Sequence, residues 1–253
     1  MRNDFPMQTL KRRYETIGGL ECRVIDLGAR PTTAIILCHG YGAPGDDLVM
    51  IGDELIRLLP AGDHQLRFVF PAAILQPPEM APYGGRAWWN INMAALMEAS
   101  AAKSFDQLHD SVPPGIDRAA DGLVRCVQEV LSGLHLAPGA TPRYLLGGFS
   151  QGSMLTTHVA LSGRVPPPDT LVQMSGTLIC RAIWQASLEA GMLKGTDVVQ
   201  SHGTADQILP FSSAETLRDL IRPFCKSHTF IPFHGPHTIP MQTITALAQQ
   251  IAK

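Results

Sequence analysis

Residues 33–38 read TAIILC, six consecutive side chains with no charge and no polar–apolar alternation. A strand with one wet face alternates; an unbroken apolar run is what a strand carries when both faces are covered. Such a strand belongs in a parallel sheet with helices packed on both sides. The remaining chain keeps that rhythm. β-rich runs recur at 21–26, 66–70, 143–146, 170–174, 197–201 and 228–233, and helical patterns at 46–59, 116–134, 151–162, 212–221 and 239–251. In the clearest of these, Ile116, Ala119, Ala120, Leu123, Val127, Val130 and Leu134 fall on one helical face. The pattern predicts an α/β fold: a mostly parallel, doubly wound sheet with helices on both faces and functional groups at the carboxyl ends of its strands.

With 45% hydrophobic and 17% charged residues, the 253-residue chain is expected to form one domain over 1–253. Residues 74–115 interrupt the strand–helix rhythm and hold two of the three tryptophans, Trp88 and Trp89. A stretch that long between elements is usually functional, and here it is expected to form a cap or insertion over the active site. The formal net charge of −2 gives no basis for nucleic-acid binding, and Lys11-Arg12-Arg13 reads as a solvated face. Five widely spaced cysteines with no C-x-x-C pair argue against a disulfide framework or structural zinc, and no H-E-x-x-H or comparable set suggests a metal. The chain offers no apolar run long enough for a signal peptide or a membrane span, so a cytoplasmic location without stable membrane insertion is expected. The composition is compatible with a homo-oligomer.

The sharpest chemical feature is LLGGFSQGS, residues 145–153, with Ser150 between Gly148 and Gly152. A chain with this glycine content produces G-x-S-x-G by chance about 0.1 times, so context decides its meaning. Tyr144–Leu146 reads as a strand and 153–162 as a helix, the strand–turn–helix setting that lifts a nucleophilic hydroxyl above a sheet edge. A serine needs a base. Downstream, VVQSHGTADQILP delivers Asp206 in a turn after a strand, and FIPFHGPHTIP delivers His237 in another. The order Ser–Asp–His is that of α/β-hydrolase folds. Asp197 opens its strand and Asp219 lies within a helix, so neither suits the orienting role that Asp206 fits. An oxyanion site requires the N–H of Gln151, which follows the nucleophile, and one from the loop AIILCHGYGAPGDDL. Tyr41 N–H is the first candidate there and Gly42 the second, with Gly42 also expected close to substrate. His39, inside that loop, reads as a structural hydrogen bonder, His158 and His202 as satisfied polar groups, and Cys38 as a small buried hydrophobe.

The blocks LCHGYGAPGDDL, GGFSQGS, SHGTADQILPF and GPHTIP resemble, in order, those of the carboxylesterase/phospholipase family that includes the acyl-protein thioesterases, within the α/β-hydrolase superfamily. The resemblance spans about residues 20–250. It implies a Ser150–His237–Asp206 triad, no metal or organic cofactor, and hydrolysis of small-molecule carboxylic esters, with acyl-thioesterase or lysophospholipase activity as the alternative for the same triad. GGRAWWNIN is similar to a tryptophan-containing segment bordering the acyl site of that family, which implies that Trp88 or Trp89 lies near substrate. Ser153 and Pro236 stand where glycine is common, and 74–115 is enlarged.

A rival reading comes from GYGAPG, residues 40–45, a literal G-x-G-x-x-G between a strand and a helix, the signature of a dinucleotide-binding protein. Against it, Asp46 and Asp47 would repel a pyrophosphate at that helix start, and the next strand ends in Phe70-Pro71-Ala72 without an acidic residue for the ribose.

Overall fold

The computed structural model describes residues 9–101 and 104–253. Eight strands form one sheet: β1 (Leu10–Ile17), β2 (Leu20–Leu27), β3 (Thr33–Cys38), β4 (Leu66–Pro71), β5 (Arg143–Phe149), β6 (Thr170–Met174), β7 (Asp197–Gly203) and β8 (Ser227–Phe233), in the order β1-β2-β4-β3-β5-β6-β7-β8. From β4 to β8 all neighbours are parallel, and β2 joins β4 antiparallel. Strand β3 is buried along its whole length, as its apolar run requires. Helices cover both faces. On one, α4 (Ile116–Ser132) and α5 (Gln151–Leu161) pack against the sheet; on the other, α1 (Val49–Leu58) and α8 (Met241–Ile251) lie side by side. No helix among the described residues is long and apolar enough to cross a membrane.

The structure adds elements where the sequence suggested none. Lys11 and Arg12 of the basic run are exposed and Arg13 is half-buried against Asp26, but all three sit in β1, a full strand paired with β2 from Leu10↔Leu27 to Ile17↔Leu20. Only Ile17 of β1 is buried, and charged residues are what an exposed sheet edge tolerates. Gly18 and Gly19, with φ of +59° and +84°, form the two-residue turn between these strands. Helix α6 (Arg181–Glu189) buries only Trp184 and Leu188, too little of a stripe to declare itself. The segment 74–115 is not structureless: it contains α2 (Met93–Ala101) and the single turn α3 (Asp106–His109). Helix α1 begins at Val49, leaving Asp46 and Asp47 in the turn ahead of it.

Candidate active site

The segments that follow β3, β5, β6, β7 and β8 meet residues of the 74–115 segment around a cavity of about 360 Å³ whose wall includes Gly40, Tyr41, Trp89, Ser150 and His237. Ser150 ends β5 and starts α5 with φ +53° and ψ −117°, a conformation that L-residues rarely hold and that marks a strained turn. The flanking glycines have a different task. A Cβ on Gly148 would stand 2.4 Å from the Cys38 carbonyl oxygen, and one on Gly152 would stand 2.1 Å from it. Both are glycine because the turn presses against the end of β3, while Ser150 itself carries the strain. Its N–H donates to Met174 O at 2.8 Å, fixing the turn to β6.

Asp206 follows β7 and His237 follows β8, and backbone bonds stitch the two turns together. Thr204 N–H donates to Phe233 O at 2.8 Å and Ala205 N–H to Gly235 O at 3.1 Å. A Cβ on Gly203 would lie 2.3 Å from Gly235 O, so the approach requires glycine there. The result is a 2.6 Å hydrogen bond from His237 Nδ1 to Asp206 Oδ2. Asp206 Oδ1 accepts two further bonds, from the N–H groups of Ile208 and Leu209, each 2.9 Å. Burial alone would raise the Asp206 pKa. Hydrogen bonds from His202 and His237, the His237 charge and the Leu209 N–H outweigh it and hold the carboxyl well below its usual range. An ionised Asp206 accepts the His237 Nδ1 proton, leaving Nε2 as the basic nitrogen. The imidazole packs on Phe149 at 4.7 Å between ring centroids, and Ser175 Oγ donates to Thr238 O at 3.0 Å, holding the histidine turn. Ser150 lines the same cavity as His237.

His202 does more than fill space. It is fully buried, its Nε2 lies 2.8 Å from Leu209 O and 3.3 Å from Asp206 Oδ2, and both neighbours are acceptors, so Nε2 carries the proton. Two imidazoles therefore share one carboxylate oxygen. The sequence held one hint of this: His202 stands four residues before Asp206, at the end of the strand that delivers it.

The loop that follows β3 is braced from behind. His39 Nδ1 donates to Gly40 O at 2.8 Å, its Nε2 accepts from Ala73 N–H at 3.0 Å, and burial lowers its pKa to about 4. That locks it as a neutral structural residue, matching the expectation for His39. Gly42 N–H is consumed by Arg86 O at 2.8 Å, and Gly42 is absent from the cavity wall, which corrects its expected place near substrate. Tyr41 and Gln151 N–H groups, by contrast, have no acceptor among the described residues, and Tyr41 lines the cavity.

The tryptophans divide sharply. Trp89 lines the cavity. Trp88 does not: it is wholly buried, and its Nε1 donates to His39 O at 3.0 Å, bracing the loop after β3. The Gln151 side chain ties the pair down, accepting from Trp88 N–H at 2.9 Å and donating to Trp89 O at 2.8 Å. Segment 74–115 supplies much of the remaining wall, including Ile91, Met93, Leu96, Phe105, Leu108 and Val112. Among the described residues no group of three or more His, Cys, Asp or Glu is arranged to hold a metal ion.

Comparison with known proteins agrees with this architecture. The profile of the Phospholipase/Carboxylesterase family matches residues 20–253. Acyl-protein thioesterase 1 of Eremothecium gossypii is 30% identical over 190 residues, covering 73% of this chain and 70% of the relative. The Yarrowia lipolytica acyl-protein thioesterase 1 is 26% identical over 207 residues, 76% and 78% of the two chains. Among solved structures, esterase PE8 superimposes with a TM-score of 0.65 at 22% identity over 96% of this chain and 99% of its own. Acyl-protein thioesterase 2 of Zea mays gives 0.61 at 17% identity, over 91% and 96%. The fold is that of the α/β hydrolases, and the dinucleotide-binding reading of the 40–45 loop falls with it.

Proposed function

The chain belongs to the phospholipase/carboxylesterase family of α/β hydrolases and is a carboxylic-ester hydrolase, and we propose that it works through an acyl-enzyme on Ser150, with His237 as base and Asp206 as its orienting carboxylate. The observation that carries this assignment is the 2.6 Å His237–Asp206 bond at the rim of the cavity that also holds Ser150. Ser150 Oγ attacks the ester carbonyl while His237 Nε2 takes its proton. Asp206 keeps the other imidazole nitrogen protonated and stabilises the imidazolium that forms. Negative charge on the carbonyl oxygen is met by the N–H groups of Tyr41 and Gln151; losing one such donor typically costs ~3 kcal/mol of barrier lowering. His237 then protonates the departing alcohol, the acyl group stays on Ser150, and a water activated by the same histidine releases the acid.

Residues 74–115 act as a cap whose apolar side chains receive the hydrophobic part of the substrate. The relation to acyl-protein thioesterase 1 of Eremothecium gossypii favours a second reading, thioester cleavage by the same groups, because triad chemistry is indifferent to whether oxygen or sulfur departs. Ser150→Ala is expected to abolish covalent labelling by a fluorophosphonate and hydrolysis of p-nitrophenyl esters while preserving the circular dichroism spectrum. Labelling that persists at another residue would remove Ser150 from the mechanism.

A further inference from the structure

The cavity wall carries one carboxylate that the acyl-transfer chemistry does not use. Asp47 lies in the turn between the oxyanion loop and α1, and among the residues lining the cavity it is the only acidic one; none is lysine or arginine. Among the described residues its buried Oδ1 has no hydrogen-bond partner, while the carboxylate is met by the Leu48 N–H and its own N–H. Arg23, on β2, pairs with the neighbouring Asp46 at 3.8 Å. Burial raises the Asp47 carboxyl to about 6, opposed by the Leu48 N–H and reinforced by Asp46, so at neutral pH the group is mostly charged. Backbone N–H groups offset part of the cost of a charge held there, and a positive charge arriving with a ligand would offset more. The same wall offers the aromatic rings of Tyr41 and Trp89, surfaces that suit an alkylammonium.

We propose that Asp47 is a specificity-determining residue, selecting esters that carry a positive charge near the cleaved bond and disfavouring anionic ones. The inference rests on the hydrolase reading of Ser150 and extends it by naming the charge of the preferred substrate. The test compares shape-matched esters within one protein. Butyrylthiocholine against its neutral 3,3-dimethylbutyl thioester places the charge in the leaving group. The p-nitrophenyl ester of 4-(trimethylammonio)butyrate, against those of 5,5-dimethylhexanoate and of adipate monoanion, places it in the acyl group. In the unchanged protein kcat/KM is expected to favour the cation over the neutral isostere by about tenfold in at least one placement, with the anion slowest. In Asp47→Asn the cation-to-neutral ratio is expected to fall towards one. Because the comparison is internal to each protein, a general loss of fold or rate in the variant cancels, and the three-charge series in the unchanged protein stands without any variant. A ratio near one in both placements, or a preference that survives in Asp47→Asn, overturns the role of Asp47. If fluorophosphonate labels Ser150 while the ratios are flat, only this inference fails; if nothing is labelled and no ester is cleaved, the hydrolase assignment falls with it.

Discussion

The two halves of the cavity are built by opposite means. At the ends of β7 and β8 the polar groups are held by a dense set of bonds: Asp206 meets His237, His202, Ile208 and Leu209, and the two turns are joined through their backbones. Across the cavity, the described lining residues between 91 and 114 are mostly apolar, among them the half-buried Leu96 and Leu108 that pack against the core. Polar chemistry needs fixed angles, which only directional bonds and backbone supply. An apolar wall needs area and shape, which many side chains can provide. The first half should therefore respond to substitution in rate, the second in the choice of substrate.

The largest expected effect lies at the centre of the polar half. Asp206→Asn removes the charge and lets the imidazole adopt the wrong tautomer, and should lower kcat by about 10³–10⁴ with KM little altered, measured by steady-state ester hydrolysis. A loss of less than tenfold would mean that another group orients His237.

Next comes His202, which acts on the carboxylate rather than on substrate. His202→Leu keeps the volume but removes the second donor to Oδ2, and a drop in kcat of about 10- to 100-fold is expected, with His202→Gln, which restores an N–H, recovering most of it. The pH dependence separates positioning from mere packing. Asp206 has a depressed folded-state pKa, so its stabilising contribution is complete above the unfolded value and is lost as pH falls through the folded one. Removing a donor reduces that depression, so the acid unfolding midpoint of His202→Leu should move to higher pH, and that of His202→Gln should not. Equal midpoints for the two variants would reduce His202 to a core filler.

The smallest effect belongs to the wall. Leu96→Ala, on α2, trims apolar surface from the cavity while keeping a good helix former. It should raise KM for long-chain p-nitrophenyl esters by about fivefold, roughly 1 kcal/mol of lost contact, and change acetyl ester hydrolysis much less. A uniform fall in kcat across chain lengths would erase the distinction between the two halves.

Much of this arrangement was legible in the residues. TAIILC announced a strand covered on both faces, and the strand–turn–helix around Ser150 was clear from local pattern. The hidden parts share a cause. Strand β1 lies on an exposed edge, so no apolar alternation marks it, and it is passed over in the sequence reading. Adjacent tryptophans look alike in a sequence; the fold puts Trp88 behind the oxyanion loop and Trp89 on the cavity wall. Gly42 looked like substrate-contacting backbone until its N–H was seen to meet Arg86 O.

What the chain alone determines is periodic or local: which runs pack on both faces, where the backbone must bend, and the order in which serine, carboxylate and imidazole arrive. Burial patterns and turn chemistry act over a few residues, and so they are written in a few residues. Which imidazoles converge on Asp206 Oδ2, and that Asp47 is the one carboxylate among the residues lining the cavity, were decided by the tertiary structure. Those contacts join turns at the ends of different strands, and their distances are set by how the twisted sheet brings those ends together.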